Sequence, residues 1–188
     1  MAFQRGFKTW AKQIAADTRG ELGLSLFDRL DPYRLAESLA IPVIRLSDLV
    51  DDAPEVAHLI TEEPEAFSAV TVFEGRKRVI VHNDGHARVR INSDICHEIS
   101  HGLLGHPPTP ALDDSGCRVW NQDIEDEASW LSGCLLVPEE AAMAIARGRW
   151  TVETAARRFD VSAPMINFRL NATGARVRVA RERRRRVA

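Results

Sequence analysis

Ile91-Asn92-Ser93-Asp94-Ile95-Cys96-His97-Glu98-Ile99-Ser100-His101-Gly102-Leu103 repeats a large apolar residue at every fourth position, 91, 95, 99 and 103. At 3.6 residues per turn this spacing draws one stripe along a helix, and a stripe of that kind is a face packed on a core. The pattern predicts a helix that begins after Asn83-Asp84-Gly85 and ends near Gly105, ahead of the breaker pair Pro107-Pro108. His97 and His101 share the side turned away from Ile95 and Ile99. Two imidazoles at i and i+4 can direct ring nitrogens at one ion about 2.0–2.1 Å away, and Glu98 between them can reach a water on that ion. Packing and ligation therefore demand the same facing of one helix.

Upstream, Ala69–Phe73 and Arg78–His82 are Val- and Ile-rich runs separated by Glu74-Gly75-Arg76-Lys77, a hairpin signal. Ile41–Leu46 reads as another strand, following a short helix that Asp31 caps and Pro32 opens. Phe7, Trp10, Ile14 and Leu22 read as the apolar face of an N-terminal helix ending before Gly23, and the acidic stretch Val50–Pro64 as loop or short helix. Downstream, helical runs span Ile124–Leu136 and, after Pro138, Glu139–Ala146. The fold class is α+β, a small and mainly antiparallel sheet packed on the His97–His101 helix.

A catalytic zinc needs a third protein ligand and an open position. Six residues after His101 stands Pro107, and His106 misses that register and reads as a helix-end residue. The remaining candidates are the acids of Asp123-Ile124-Glu125-Asp126-Glu127. Glu125 shares a helical face with Ser129, whereas Glu127 points elsewhere. Glu125 follows His101 by 24 residues, enough for a loop and a returning helix.

Cys96-His97-Glu98-Ile99-Ser100-His101-Gly102-Leu103-Leu104-Gly105-His106, followed by Glu125-Asp126-Glu127-Ala128-Ser129-Trp130-Leu131-Ser132-Gly133-Cys134-Leu135-Leu136-Val137-Pro138, resembles the ImmA/IrrE zinc metallopeptidases. The second motif of that family runs close to E-x-E-A-N-x-F-A-x-x-L-L-M-P, and the likeness extends from the Leu35–Val43 helix–strand unit to about Gly174. The resemblance implies that His97, His101 and Glu125 hold Zn2+ and that Glu98 is the catalytic general base, taking a proton from water and passing it to the leaving amine. Ser129 stands where the family commonly has Asn or Asp, and it can still hydrogen-bond a ligand, more weakly than a carboxylate. Candidates for a donor to the oxyanion are His82, His86 and His106. The family's characterised members cleave helix-turn-helix repressors, so the resemblance implies a metallo-endopeptidase with a transcriptional repressor as its substrate, acting in a bacterial stress or mobile-element response.

Domain organisation follows as a peptidase-like domain over 1–148, a helix-turn-helix-like segment over 149–174 and a basic, disordered tail over 175–188. In the middle segment Ala155, Phe159, Val161, Ile166 and Leu170 form a shared core, Ser162 caps the second helix, and the second helix offers Asn167, Arg169 and Asn171 to DNA while the first carries Arg157 and Arg158. The net charge of −2 hides a division, because the thirteen residues from Arg176 hold seven Arg against one Glu, which leaves the body at −8. Such a tail suits nucleic acid or an acidic protein surface. A competing reading is therefore a DNA-associated regulatory protein with a structural or vestigial zinc site. Three cysteines, Cys96, Cys117 and Cys134, without CxxC spacing argue against a disulfide framework. With no apolar run near the roughly 18 residues of a membrane span, the expected setting is the cytoplasm, with no membrane partner.

Overall fold

The structure, a computed structural model, describes residues 3–75, 77–107 and 121–187. The order of elements is α1 (Phe7–Glu21), α2 (Pro32–Ser38), β1 (Val43–Arg45), α3 (Ala57–Thr61), β2 (Ala69–Glu74), β3 (Lys77–His82), α4 (Arg88–Leu103), α5 (Gln122–Leu136), α6 (Glu139–Ala146), α7 (Val152–Phe159), α8 (Ala163–Ala172) and α9 (Ala175–Val187). The architecture is α+β. Short 3-10 turns at Leu46–Leu49, Pro54–Val56 and Pro64–Ala66 flank α3 within the proline-broken acidic stretch.

The hairpin forms with Val70 opposite Val81 and Phe73 opposite Arg78, and it extends one residue further on each side of the turn than the apolar runs suggest. Gly75 takes φ +62 there, a left-handed conformation that suits glycine. The sheet order is β1-β3-β2, with β1 parallel to β3 and β2 antiparallel to it, so the sheet is mixed. A parallel partner needs a crossover, and the long connection from β1 to β3 supplies it. β2 and β3 pack on α4, and α4 packs on α5.

Helix α4 buries Ile95 and Ile99 completely, while Ile91 and Leu103 at the two ends of the stripe are partly buried. Fully burying side chains of this size is worth about 1.5–3 kcal/mol each. Helix α1 departs from its expected face: Phe7, Ala11 and Ala15 are buried, and Trp10 is 51% exposed. The alanines let α1 lie close against α5, a contact that a tryptophan on the same line would hold apart.

Helices α7 and α8 bury all five residues expected of their shared core. Ser162 caps α8 by accepting from the Met165 amide. The turn between them is tied to α4, where the buried Asn92 donates to the Asp160 carbonyl at 3.0 Å. Arg169, offered above as a DNA contact, is 1% exposed and lies inside the protein, and Asn167 accepts from Arg176 at 2.8 Å. Residues 175–187, expected as a disordered tail, form α9, which packs on α6 and α8 through buried Ala175 and Val179. Ion pairs of Arg178 with Glu139 and Arg147 with Glu182 fasten it along the surface. Cys96 and Cys134 are free and buried, and Cys117 lies outside the described residues. No helix among the described residues is long and apolar enough to cross a membrane.

Arg19 joins the N-terminal helix to the end of α5. Fully buried, it donates to Leu135 O at 2.6 Å, to Ser25 O at 2.8 Å and to Asp28 O. Burial lowers its pKa, and the three carbonyls accept from its two terminal nitrogens in place of a carboxylate. Arg19→Met should strand those carbonyls and cost about 3 kcal/mol or more. Urea unfolding measures this, and a loss below about 1 kcal/mol would contradict the role given to Arg19.

Candidate metal centre

Helices α4 and α5 each bring half of a polar cluster to their common edge. His97 and His101 come from α4, on the side away from Ile95 and Ile99, with Glu98 on the flank between that side and Ile95. Glu125 comes from the first turn of α5, where Asn121 caps the helix by accepting from the Asp123 and Ile124 amides. A carboxylate so close to a helix N-terminus is favoured by the backbone dipole.

His97 Nε2 lies 3.0 Å from Glu125 Oε2 and 3.0 Å from His101 Nε2, and His101 Nε2 lies 3.7 Å from Glu125 Oε2. These separations bracket the roughly 3.3–3.6 Å edges of a tetrahedron with bonds of about 2.0–2.2 Å. Two imidazoles and one carboxylate are also the donor set that suits zinc and leaves a coordination position open. The His101 and His97 imidazoles beside it hold the Glu125 carboxyl far below the usual carboxylate range, so it is an anion available for ligation. His97, His101 and Glu125 are the only such group found among the described residues. Cys96 cannot join it, because burial pushes its thiol up to about 12.

The far ring nitrogens are held as well. His101 Nδ1 lies 3.0 Å from His106 Nδ1, and His106 Nε2 lies 3.2 Å from Glu127 Oε2. Burial lowers the pKa of His106, so its ring is neutral near pH 7 and has one N–H. If Nε2–H donates to Glu127, His106 Nδ1 accepts from His101 Nδ1–H and leaves the His101 Nε2 lone pair facing the cluster. On the other ligand, His97 Nδ1 is 3.4 Å from Ser129 Oγ, a long contact that fits a hydroxyl where a carboxylate would reach further. Glu98 accepts from Thr71 Oγ1 of β2 at 2.6 Å.

Three of the four residues singled out in the sequence, His97, His101 and Glu125, therefore meet at one place, and Glu98, the neighbour of His97 in the chain, is held by Thr71. His106, expected at a helix end and as an oxyanion candidate, contacts His101, and Glu127, expected to point elsewhere, stays out of the cluster and contacts His106. An i+5 histidine after His101, paired with an acid two residues past Glu125, was the available signal. Thr71 carries no sequence signal, since its role depends on the sheet packing against α4. The other two oxyanion candidates are occupied elsewhere: His82 is 1% exposed and bonds Tyr33 Oη at 2.9 Å, and His86 Nε2 sits 2.8 Å from Pro64 O.

The geometry predicts one divalent ion per chain. Titrated with cobalt(II) or zinc against a competing chelator, His97→Ala and Glu125→Ala should lose the ion, and Glu127→Ala should keep it with roughly 10–100-fold lower affinity. Full loss in Glu127→Ala with retention in Glu125→Ala would reverse the assignment.

Among known protein families, residues 36–171 match the peptidase family described as the IrrE N-terminal-like domain. No curated protein and no solved structure gave a match. The matched span runs from α2 through α8 and includes both helices that build the cluster. On the strength of that span, the chain belongs to the M78 peptidases, the metallopeptidase family of the IrrE N-terminal-like domain.

Proposed function

We propose that the protein is a zinc-dependent endopeptidase acting in the cytoplasm on an extended segment of a protein substrate. The observation that carries this is the meeting of His97, His101 and Glu125 beside a Glu98 whose carboxylate is steered by Thr71. Zinc bound to those three residues supplies Lewis acidity toward a carbonyl oxygen and makes water more acidic. Thr71 engages Glu98 Oε2, which leaves Oε1 free to receive a proton from water and then to deliver it to the departing amine. Fixing the carboxylate in this way turns it toward one place in the cleft and spares the transition state the loss of its rotational freedom.

The sheet supports the peptide part of the reading. β2 is the outer strand next to Glu98, and among the described residues no strand pairs with its free edge. An extended substrate added to that edge would gain main-chain hydrogen bonds and pass beside the histidine pair. Val72 and Phe73 of β2 are 49% and 43% exposed and offer apolar contact to such a segment. The resemblance to repressor-cleaving relatives adds the substrate class, a helix-turn-helix transcriptional repressor whose removal serves a stress or mobile-element response. The burial of Arg169 removes one of the side chains that the competing DNA-reading role needs from the helix-turn-helix-like segment.

Glu98→Gln should retain zinc at wild-type stoichiometry and lower cleavage of a helix-turn-helix repressor substrate by roughly 10²–10⁴-fold. Metal analysis and a gel-based cleavage assay read the two outcomes separately. Undiminished cleavage by the zinc-loaded variant would falsify the peptidase mechanism.

A further inference from the structure

Among the described residues three arginines are partly buried, and they are treated differently. Arg29 pairs with Asp31 and Asp160, and Arg90 with Glu65 and Ser68. The side chain of Arg78, on β3, makes no ion pair and no hydrogen bond among the described residues, and none of its nitrogens is buried. Its charge is therefore open to solvent and to whatever solvent brings.

Shape holds the guanidinium in place. Gly102, in the last turn of α4, has no side chain, and a Cβ there would run into Arg78 Nη1 and stand 3.1 Å from Cζ. Glycine inside a helix is unfavourable relative to alanine, and here it lets the guanidinium lie against the helix backbone.

The register then places the cation in relation to Glu98. Across β2 and β3, Phe73 stands opposite Arg78 and Thr71 opposite Ile80, so these four residues share the face of the sheet turned to α4, where Thr71 meets Glu98. On α4, Gly102 stands about 40° round the helix from Glu98, but about 100° and 140° from His101 and His97. The guanidinium thus lies one helical turn beyond Glu98 on the sheet side, away from the ligating nitrogens, next to a Phe73 that is 43% exposed.

We propose that Arg78 selects substrates that carry an acidic side chain close to the scissile bond, by pairing with that Asp or Glu. The proposal rests on the endopeptidase reading above. An extended segment added to the free edge of β2 turns alternate side chains toward α4. One of them comes level with Thr71, where Glu98 is held, and the one two residues along comes level with Phe73 and Arg78. A guanidinium without a carboxylate of its own offers a charge-assisted, two-pronged bond to a carboxylate at that position, stronger than the bond to a neutral amide. A Lys or Arg there is repelled. Because the ligating face of α4 points elsewhere, the contact is to a substrate side chain and not to the carbonyl under attack.

The test gives the zinc-loaded full chain a synthetic library of short randomised peptides and reads the cut sites by mass spectrometry. Wild type should enrich Asp and Glu at one position within about two residues of the cut. Arg78→Glu should turn that preference to Lys and Arg at the same position, a gain that a misfolded variant cannot show. Should that reversal fold poorly, Arg78→Gln keeps much of the side chain without its charge. It should lower the ratio of kcat/KM for the best acidic peptide over its Gln or Asn counterpart by roughly tenfold, chiefly through KM. Cuts without an acidic preference, the same preference in Arg78→Glu, or a wild-type ratio in Arg78→Gln overturns the role of Arg78 and leaves the endopeptidase reading standing. If zinc-loaded wild type cuts no peptide, the endopeptidase reading itself is overturned, and the proposal with it.

Discussion

Everything at the metal centre depends on how closely α4 and α5 approach. The seam between them is made of small residues four apart, Cys96 and Ser100 on one helix and Ala128 and Ser132 on the other, all buried. Cys96 Sγ reaches Ser132 O at 3.8 Å, and Ser100 Oγ turns back to its own helix at Cys96 O, 2.7 Å away. Hydroxyls satisfied within the helix or across the seam leave the approach free of stranded polar atoms. Larger side chains would push the helices apart, and Glu125 would move out of reach of both imidazoles. The cluster is thus a product of backbone spacing set by residues that do no chemistry.

Much of this was legible in the sequence because the same periodicity governs packing and chemistry. The 91–95–99–103 stripe required His97 and His101 to face away from the core, and the helical register of Glu125 with Ser129 brought both to the cluster. The five-residue core of α7 and α8 was equally legible, since each helix carries its own capping signal. What escaped was whatever depends on a neighbour from another element. The parallel alignment of β1 with β3 is decided by the crossover, and Thr71 is placed by the sheet. Trp10 misled because hydrophobicity favours burying the largest residue, whereas the α1–α5 contact uses alanines. Glu127 stays out of the cluster as its helical position requires, and its contact with His106 escaped because facing within one helix does not show what stands at the end of another.

Two buried arginines frame the other side of α5. Arg19 binds the Leu135 carbonyl and Arg169 the Val137 carbonyl, both at the C-terminal end where helical carbonyls lack partners. A guanidinium there satisfies orphan acceptors and complements the negative end of the backbone dipole. The helix that holds Glu125 in its first turn is therefore anchored by cations at its last, and its two ends are electrostatically matched to what surrounds them.

The ordering of α9 changes the meaning of the uneven charge. A flexible basic tail would average its charge over many positions around the acidic body. Thirteen helical residues, roughly 20 Å long, instead hold it at one place against α6 and α8. The positive charge of α9 is consequently fixed in the frame of the protein. A negatively charged partner therefore meets that charge along one line of the surface, and added salt weakens the attraction as the Debye length shortens.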